Sequence, residues 1–73
     1  MTMAAEIIER LAALEHQQWA SWAASVLNTE PGLSPQRKER WKRLIETPYE
    51  NLSEGEKEQD RIWARRMIET IAG

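Results

Sequence analysis

Glu30-Pro31-Gly32-Leu33-Ser34-Pro35 is the stretch whose reading decides the fold. Glu30-Pro31-Gly32 breaks any helix reaching it from the N-terminal side. Ser34-Pro35 starts another, as an N-cap followed by proline at the first helical position. Outward to the left, Thr2 can cap a helix whose apolar positions Ile7, Ile8, Leu11, Leu14, Trp19, Trp22 and Val26 keep helical spacing. Ala, Leu, Glu and Gln, all good helix formers, fill the rest. To the right, the second helix passes Trp41, Leu44 and Ile45 until Pro48 ends it. A loop, Pro48-Tyr49-Glu50-Asn51-Leu52, leads to Ser53 and Glu56, a capping box that opens a third helix carrying Trp63, Ala64, Met67, Ile68 and Ile71. The spacing predicts helices over about 3–27, 35–47 and 54–71. The expected fold is a single all-α domain of three helices, two long ones bracketing a short one.

Composition bounds what holds such a domain together. A chain of 73 residues buries only roughly 60% of its unfolded surface. It has no cysteine for a disulfide and one histidine, His16, so a structural zinc site with four His and Cys ligands is excluded. No cofactor is expected. Four tryptophans, Trp19, Trp22, Trp41 and Trp63, and no phenylalanine supply the large apolar area. The N-terminus lacks the basic start and apolar stretch of a signal peptide. No apolar run approaches the ~20 residues of a membrane span. Without cysteine or a leader, a cytoplasmic location is expected. Net charge is −2, and the basic residues concentrate on the second helix, five against two acidic ones over 37–46.

Polar residues on apolar faces are the functional clue. At about 100° per residue, the stripe of the first helix centres near Trp22 and Leu11, with Glu15 and Gln18 inside it. The stripe of the third, through Trp63, Ala64, Met67 and Ile71, centres close to Asp60. Arg37 lies one turn before Trp41, on its side. Three charges are thus expected to project inward from three helices. Buried charge is costly unless paired. One reading is a closed network, with Glu15 and Asp60 accepting from Arg37 or Arg61 and from tryptophan N–H groups. The other is a polar-lined pocket walled by tryptophans. His16 lies just off the stripe, and no nucleophile, metal set or phosphate loop accompanies it, so a non-catalytic role is expected. Arg37-Lys38-Glu39-Arg40-Trp41-Lys42-Arg43 could meet a phosphate backbone. Trp41 belongs to the apolar face and the domain is acidic, which disfavours nucleic acid as the partner.

The stretch Pro48-Tyr49-Glu50-Asn51-Leu52-Ser53-Glu54-Gly55-Glu56-Lys57-Glu58-Gln59-Asp60-Arg61 resembles the signature of the ryanodine-receptor repeat (RyR) domain. In that family a proline and tyrosine lead through a leucine into a helix beginning E-x-x-K-x-x-D-R. Glu15-His16-Gln17-Gln18-Trp19 is similar to the family's opening helix. The middle, 28–47, is shorter than in receptor repeats and lacks their glycine-rich connection. The resemblance implies a helical fold with the Tyr49 loop beside the first helix, of the small single-repeat kind found in bacteria and phages. It also implies a nucleotide-derived ligand, with sequestration of host immune signals as a phage role. The residues it carries over are Glu15, His16, Trp19, Tyr49, Asp60 and Arg61. Trp22, Arg37, Trp41 and Arg65 complete the expected ligand-binding set, with aromatic rings stacking a base and arginines meeting phosphate. The competing expectation is an interaction module whose polar core is only structural.

Self-association, most simply a twofold dimer, is also expected. Four tryptophans exceed what three short helices cover, and Ile62 lies opposite the third-helix stripe. Beyond Trp19, Ala12 and Ala23 offer a flat surface for another helix.

Overall fold

The computed structural model describes residues 3–73. They form three α-helices, α1 (Met3–Thr29), α2 (Pro35–Glu46) and α3 (Glu54–Ala72), with a 3₁₀ turn at Tyr49–Asn51 before α3. Among the described residues there is no strand. The expected Thr2 cap lies outside them. The three-helix expectation holds, and each boundary has its local cause. α1 runs two residues past the expected Leu27, its last turn closed by the Glu30 N–H donating to the Val26 carbonyl (2.8 Å), and Pro31 then stops it. Ser34 accepts the Arg37 N–H at 3.2 Å, with Pro35 in the first turn of α2. α2 ends at Glu46, one residue early, with extended Thr47 leading into Pro48. Both halves of the capping box are made: Ser53 Oγ accepts from Glu56 N (3.2 Å), and Glu56 Oε1 accepts from Ser53 N (3.0 Å). The stretch read as a plain loop contains the 3₁₀ turn, which buries Tyr49 and leads into buried Leu52.

α1 is the spine. α3, α2 and the 3₁₀ turn pack on it, whereas α2 and α3 scarcely touch one another. The molecule is therefore long and flat, 42 × 25 × 15 Å. The core is built from small side chains. Ala12, Ala23 and Ala64 are fully enclosed, and Tyr49 and Leu52 close the cluster around Ala12 and Ala64. No large side chain is fully buried among the described residues.

This corrects the expected apolar stripe. The buried line of α1 is Ala12, His16 and Ala23, one residue and so about 100° away from the line through Leu11 and Trp22. Trp22 and Leu14 are each 56% exposed, and Gln18 is exposed rather than interior. The physical reason is helix separation. Alanine faces let two helix axes approach closely, and that close contact excludes water more completely than a large side chain at the rim does. On α3 the same effect puts Ala64 innermost, with Asp60 one turn before it, while Trp63 and Ile71 are exposed. Ala12 and Ala23, expected to offer a surface to a second chain, are covered within this one. Ile62 is exposed, as its position opposite the stripe requires.

Candidate functional site

Because α2 and α3 both pack on α1 but scarcely touch one another, an open cleft of about 440 Å³ lies between them, floored by the middle of α1. α1 contributes Glu15, His16 and Trp19. The α2 wall is Arg37, Arg40, Trp41 and Leu44, and the α3 wall is Glu56, Gln59, Asp60 and Trp63, with Leu52 at the base. Each wall is one helical line, at spacings of three and four residues.

The aromatic surface is continuous. Trp19 meets Trp41 edge-on, with ring centroids 5.7 Å apart, and Trp22 lies tilted against the same ring at 5.7 Å. His16 stacks beside Trp19 at 6.1 Å. On the opposite wall Trp63 carries the Arg66 guanidinium over its ring at 4.9 Å.

His16 is the buried polar centre. Its Nε2 lies 2.8 Å from the Thr47 carbonyl, which only accepts, so Nε2 carries the hydrogen. In the neutral ring Nδ1 is then bare, and it faces Asp60 Oδ2 at 3.7 Å. Burial pushes the Asp60 carboxyl up from the usual aspartate range; His16 pulls it down and Glu15 pushes it up.

The remaining charges divide into satisfied and free. Arg43 binds Glu56 at 2.7 Å and so links α2 to α3; with the capping contacts, it draws the Glu56 carboxyl down to about 2. Among the described residues the Arg37 and Arg40 side chains form no ion pair, and neither does Glu15. Two free cations thus stand on the α2 wall, with Glu15 on the floor and Asp60 on the α3 wall.

Of the expected site residues, the structure brings Glu15, His16, Trp19, Arg37, Trp41 and Asp60 into the cleft. Trp22 backs Trp41 from outside it. Tyr49, Arg61 and Arg65 lie elsewhere, in an ion network between α1 and α3. There Arg61 grips Glu9 with Nε and a terminal nitrogen, both at 2.8 Å, and the Tyr49 hydroxyl donates to the same carboxylate at 2.9 Å. Arg61 also reaches Glu54 (3.0 Å), and Arg65 pairs with Glu58 (2.7 Å). Two hydrogen bonds from Arg61 dominate the fall of the Glu9 carboxyl to about 2. Burial, then the hydrogen bond to Glu9, pushes Tyr49 up to about 12. The closed network expected around Glu15 and Asp60 is not formed; the ion network that ties α1 to α3 is built on Glu9 instead. Glu15 and Asp60 accept from neither Arg37 nor Arg61, and Arg37 is exposed rather than directed inward. Glu9 was missed, although it lies two turns before His16 on the same face. Arg40, Leu44, Leu52, Glu56, Gln59 and Trp63 were not named as site residues; apart from Leu52, they extend the helical lines through Arg37, Trp41 and Asp60.

Among the described residues no group of three or more His, Asp and Glu could hold a metal ion. No helix among them is long and apolar enough to cross a membrane. In comparisons with protein-family models, curated proteins and solved structures, nothing matches this chain.

Proposed function

We propose that this domain is a non-catalytic binding module of the RyR-like kind, which recognises and sequesters a nucleotide-derived small molecule. The observation that carries the reading is the convergence on one open cleft of Trp19, Trp41 and Trp63 with two free arginines and the adjacent side chains of His16 and Asp60. A base stacks on the indoles, worth about 1–3 kcal/mol per base. Arg37 and Arg40 meet phosphate through charge-assisted forks. Asp60 and Glu15 accept from base or ribose. The same reading assigns the protein to the cytoplasm, that of the host for a phage-encoded chain, and includes a twofold dimer as the working state.

Thermal unfolding with a panel of ADP-ribose, mononucleotides and cyclic dinucleotides tests it. A ligand at a hundred times its dissociation constant adds about 2.7 kcal/mol. For a domain of this size that raises the melting temperature by roughly 10 °C or more. The double variant Arg37→Ala/Arg40→Ala, with both side chains exposed, should fold normally and bind at least tenfold more weakly. A panel without effect at millimolar concentration would refute the proposal, as would binding indifferent to both arginines.

The second reading is an interaction module whose polar centre is only structural. His16 favours it, since the residue is buried and its Nε2 is already spent on the Thr47 carbonyl inside the protomer.

A further inference from the structure

α1 carries two faces, and the fold uses one. The line through Ala12, His16 and Ala23 is spent on the domain's own core. A second line runs through Ile7, Leu11, Leu14 and Gln18, at steps of four, three and four residues. Ile7 and Leu14 are 42% and 56% exposed, and Gln18 is exposed as well. Leu11, half-buried, touches the core from its edge. Met3 and Trp22, both exposed, flank the line near its two ends. Steps of three and four alternate in a helix that packs along a seam against another helix.

We propose that this seam joins two copies of the chain, with α1 of one lying parallel to α1 of the other about a twofold axis. Charge selects both the occupant and the direction. Arg10 and Glu15 flank the seam on opposite sides, five residues apart, and among the described residues neither has an ion-pair partner within the chain. Five residues is the offset at which flanking positions of two parallel strands meet, so Arg10 of each copy faces Glu15 of the other, twice by symmetry. An antiparallel register centred between Leu11 and Leu14 instead sets Arg10 against Gln17 and Glu15 against Ile8. Gln18 meets its own symmetry mate, and one polar pair in an apolar seam fixes register. From Met3 to Trp22 the seam runs about 29 Å along α1.

The arrangement bears on the cleft, because Glu15 also lines it. Arg10 of the second copy thereby adds a cation at the edge of the floor. The inference deepens the twofold dimer of the proposed function and rests on the outer face of α1, not on the identity of any ligand, so a monomeric protein would remove the dimer while leaving ligand binding in the cleft to its own test.

Sedimentation velocity on the ligand-free protein at micromolar concentration tests it. The expected mass is twice 8.5 kDa. Leu14→Glu places like charges opposite one another and should yield a helical monomer by circular dichroism. Arg10→Glu should raise the dissociation constant at least tenfold, and adding Glu15→Arg should restore it. The chain has no cysteine, so Leu14→Cys reports direction cleanly: parallel helices bring the two sulfurs together and the oxidised protein should run as a covalent dimer. A mass of 8.5 kDa throughout the concentration range would overturn the proposal. So would a Leu14→Glu dimer, or a Leu14→Cys dimer that does not cross-link.

Discussion

Replacing Glu9 by alanine removes the acceptor on which Arg61 and Tyr49 converge. The cost follows from what is left behind. The Tyr49 hydroxyl, on a residue 8% exposed, loses its only acceptor among the described residues. An unsatisfied buried hydroxyl costs about 1–3 kcal/mol. Arg61 loses a two-point carboxylate contact but keeps Glu54 at 3.0 Å and Glu58 at 3.7 Å. The ~3–5 kcal/mol of a stranded buried charge therefore does not apply in full. The Glu9 side chain is 38% exposed, so solvent screening reduces its ionic contribution further. Together these give about 2–3 kcal/mol, which lowers the melting temperature by roughly 10–20 °C in a domain this small. Helical circular dichroism during thermal and urea unfolding reads it directly. The pH dependence carries a sign. The Glu9 carboxyl is lowered from 4.5 to about 2 on folding, so its contribution is complete above pH 4.5 and lost as pH falls towards 2. The gap between wild type and Glu9→Gln should narrow over that window. A Glu9→Ala protein within about 0.5 kcal/mol of wild type at pH 7, the range of an ordinary surface substitution, would refute this account of how α1 and α3 are held.

Asp60 gives two opposed outcomes. Asp60→Asn can donate its amide N–H to the bare His16 Nδ1 and should melt within a few degrees of wild type, whereas Asp60→Leu leaves that nitrogen without a partner and should lose about 1–3 kcal/mol; equal losses would refute the assignment of Nε2 as the donor to Thr47. Because burial raises the Asp60 carboxyl on folding, its effect favours the folded state at low pH and fades as pH rises above 3.8, opposite in sign to Glu9. Subtracting the pH–stability curve of Asp60→Asn from that of wild type should reveal it. Ser53→Ala removes the acceptor for Glu56 N–H and should cost about 1 kcal/mol in urea unfolding. An unchanged midpoint would mean that the capping box does not hold the start of α3.

Helix boundaries were legible because they are local. Pro31, Ser34-Pro35, Pro48 and the Ser53–Glu56 pair act on the backbone within a turn of themselves, whatever the rest of the chain does. The buried face of α1 was not, because a helical wheel weights positions by side-chain size. Ile7, Leu11, Leu14 and Trp22 outweigh Ala12 and Ala23 on such a wheel, yet close helix contact selects the alanines. The misplaced stripe carried the error into the site. His16, set at the edge, is buried between Thr47 and Asp60. Glu15 and Asp60 were rightly placed together because they stand beside that buried line on facing helices. The arginine partners were misassigned because an ion pair between α1 and α3 depends on helix register. Glu9 and Arg61, 52 residues apart, meet only once the alanine faces have set that register.

The indole N–H signals of the four tryptophans test the central claim most directly, since each reports one place on the molecule in a proton–nitrogen spectrum. Titrating ADP-ribose and cyclic dinucleotides into the labelled protein should shift or broaden the Trp19, Trp41 and Trp63 signals saturably, with Trp22 responding less and the Tyr49 and Arg61 resonances hardly at all. Four unmoved indoles at millimolar concentrations of every compound would contradict the account, and so would a response centred on Tyr49 and Arg61.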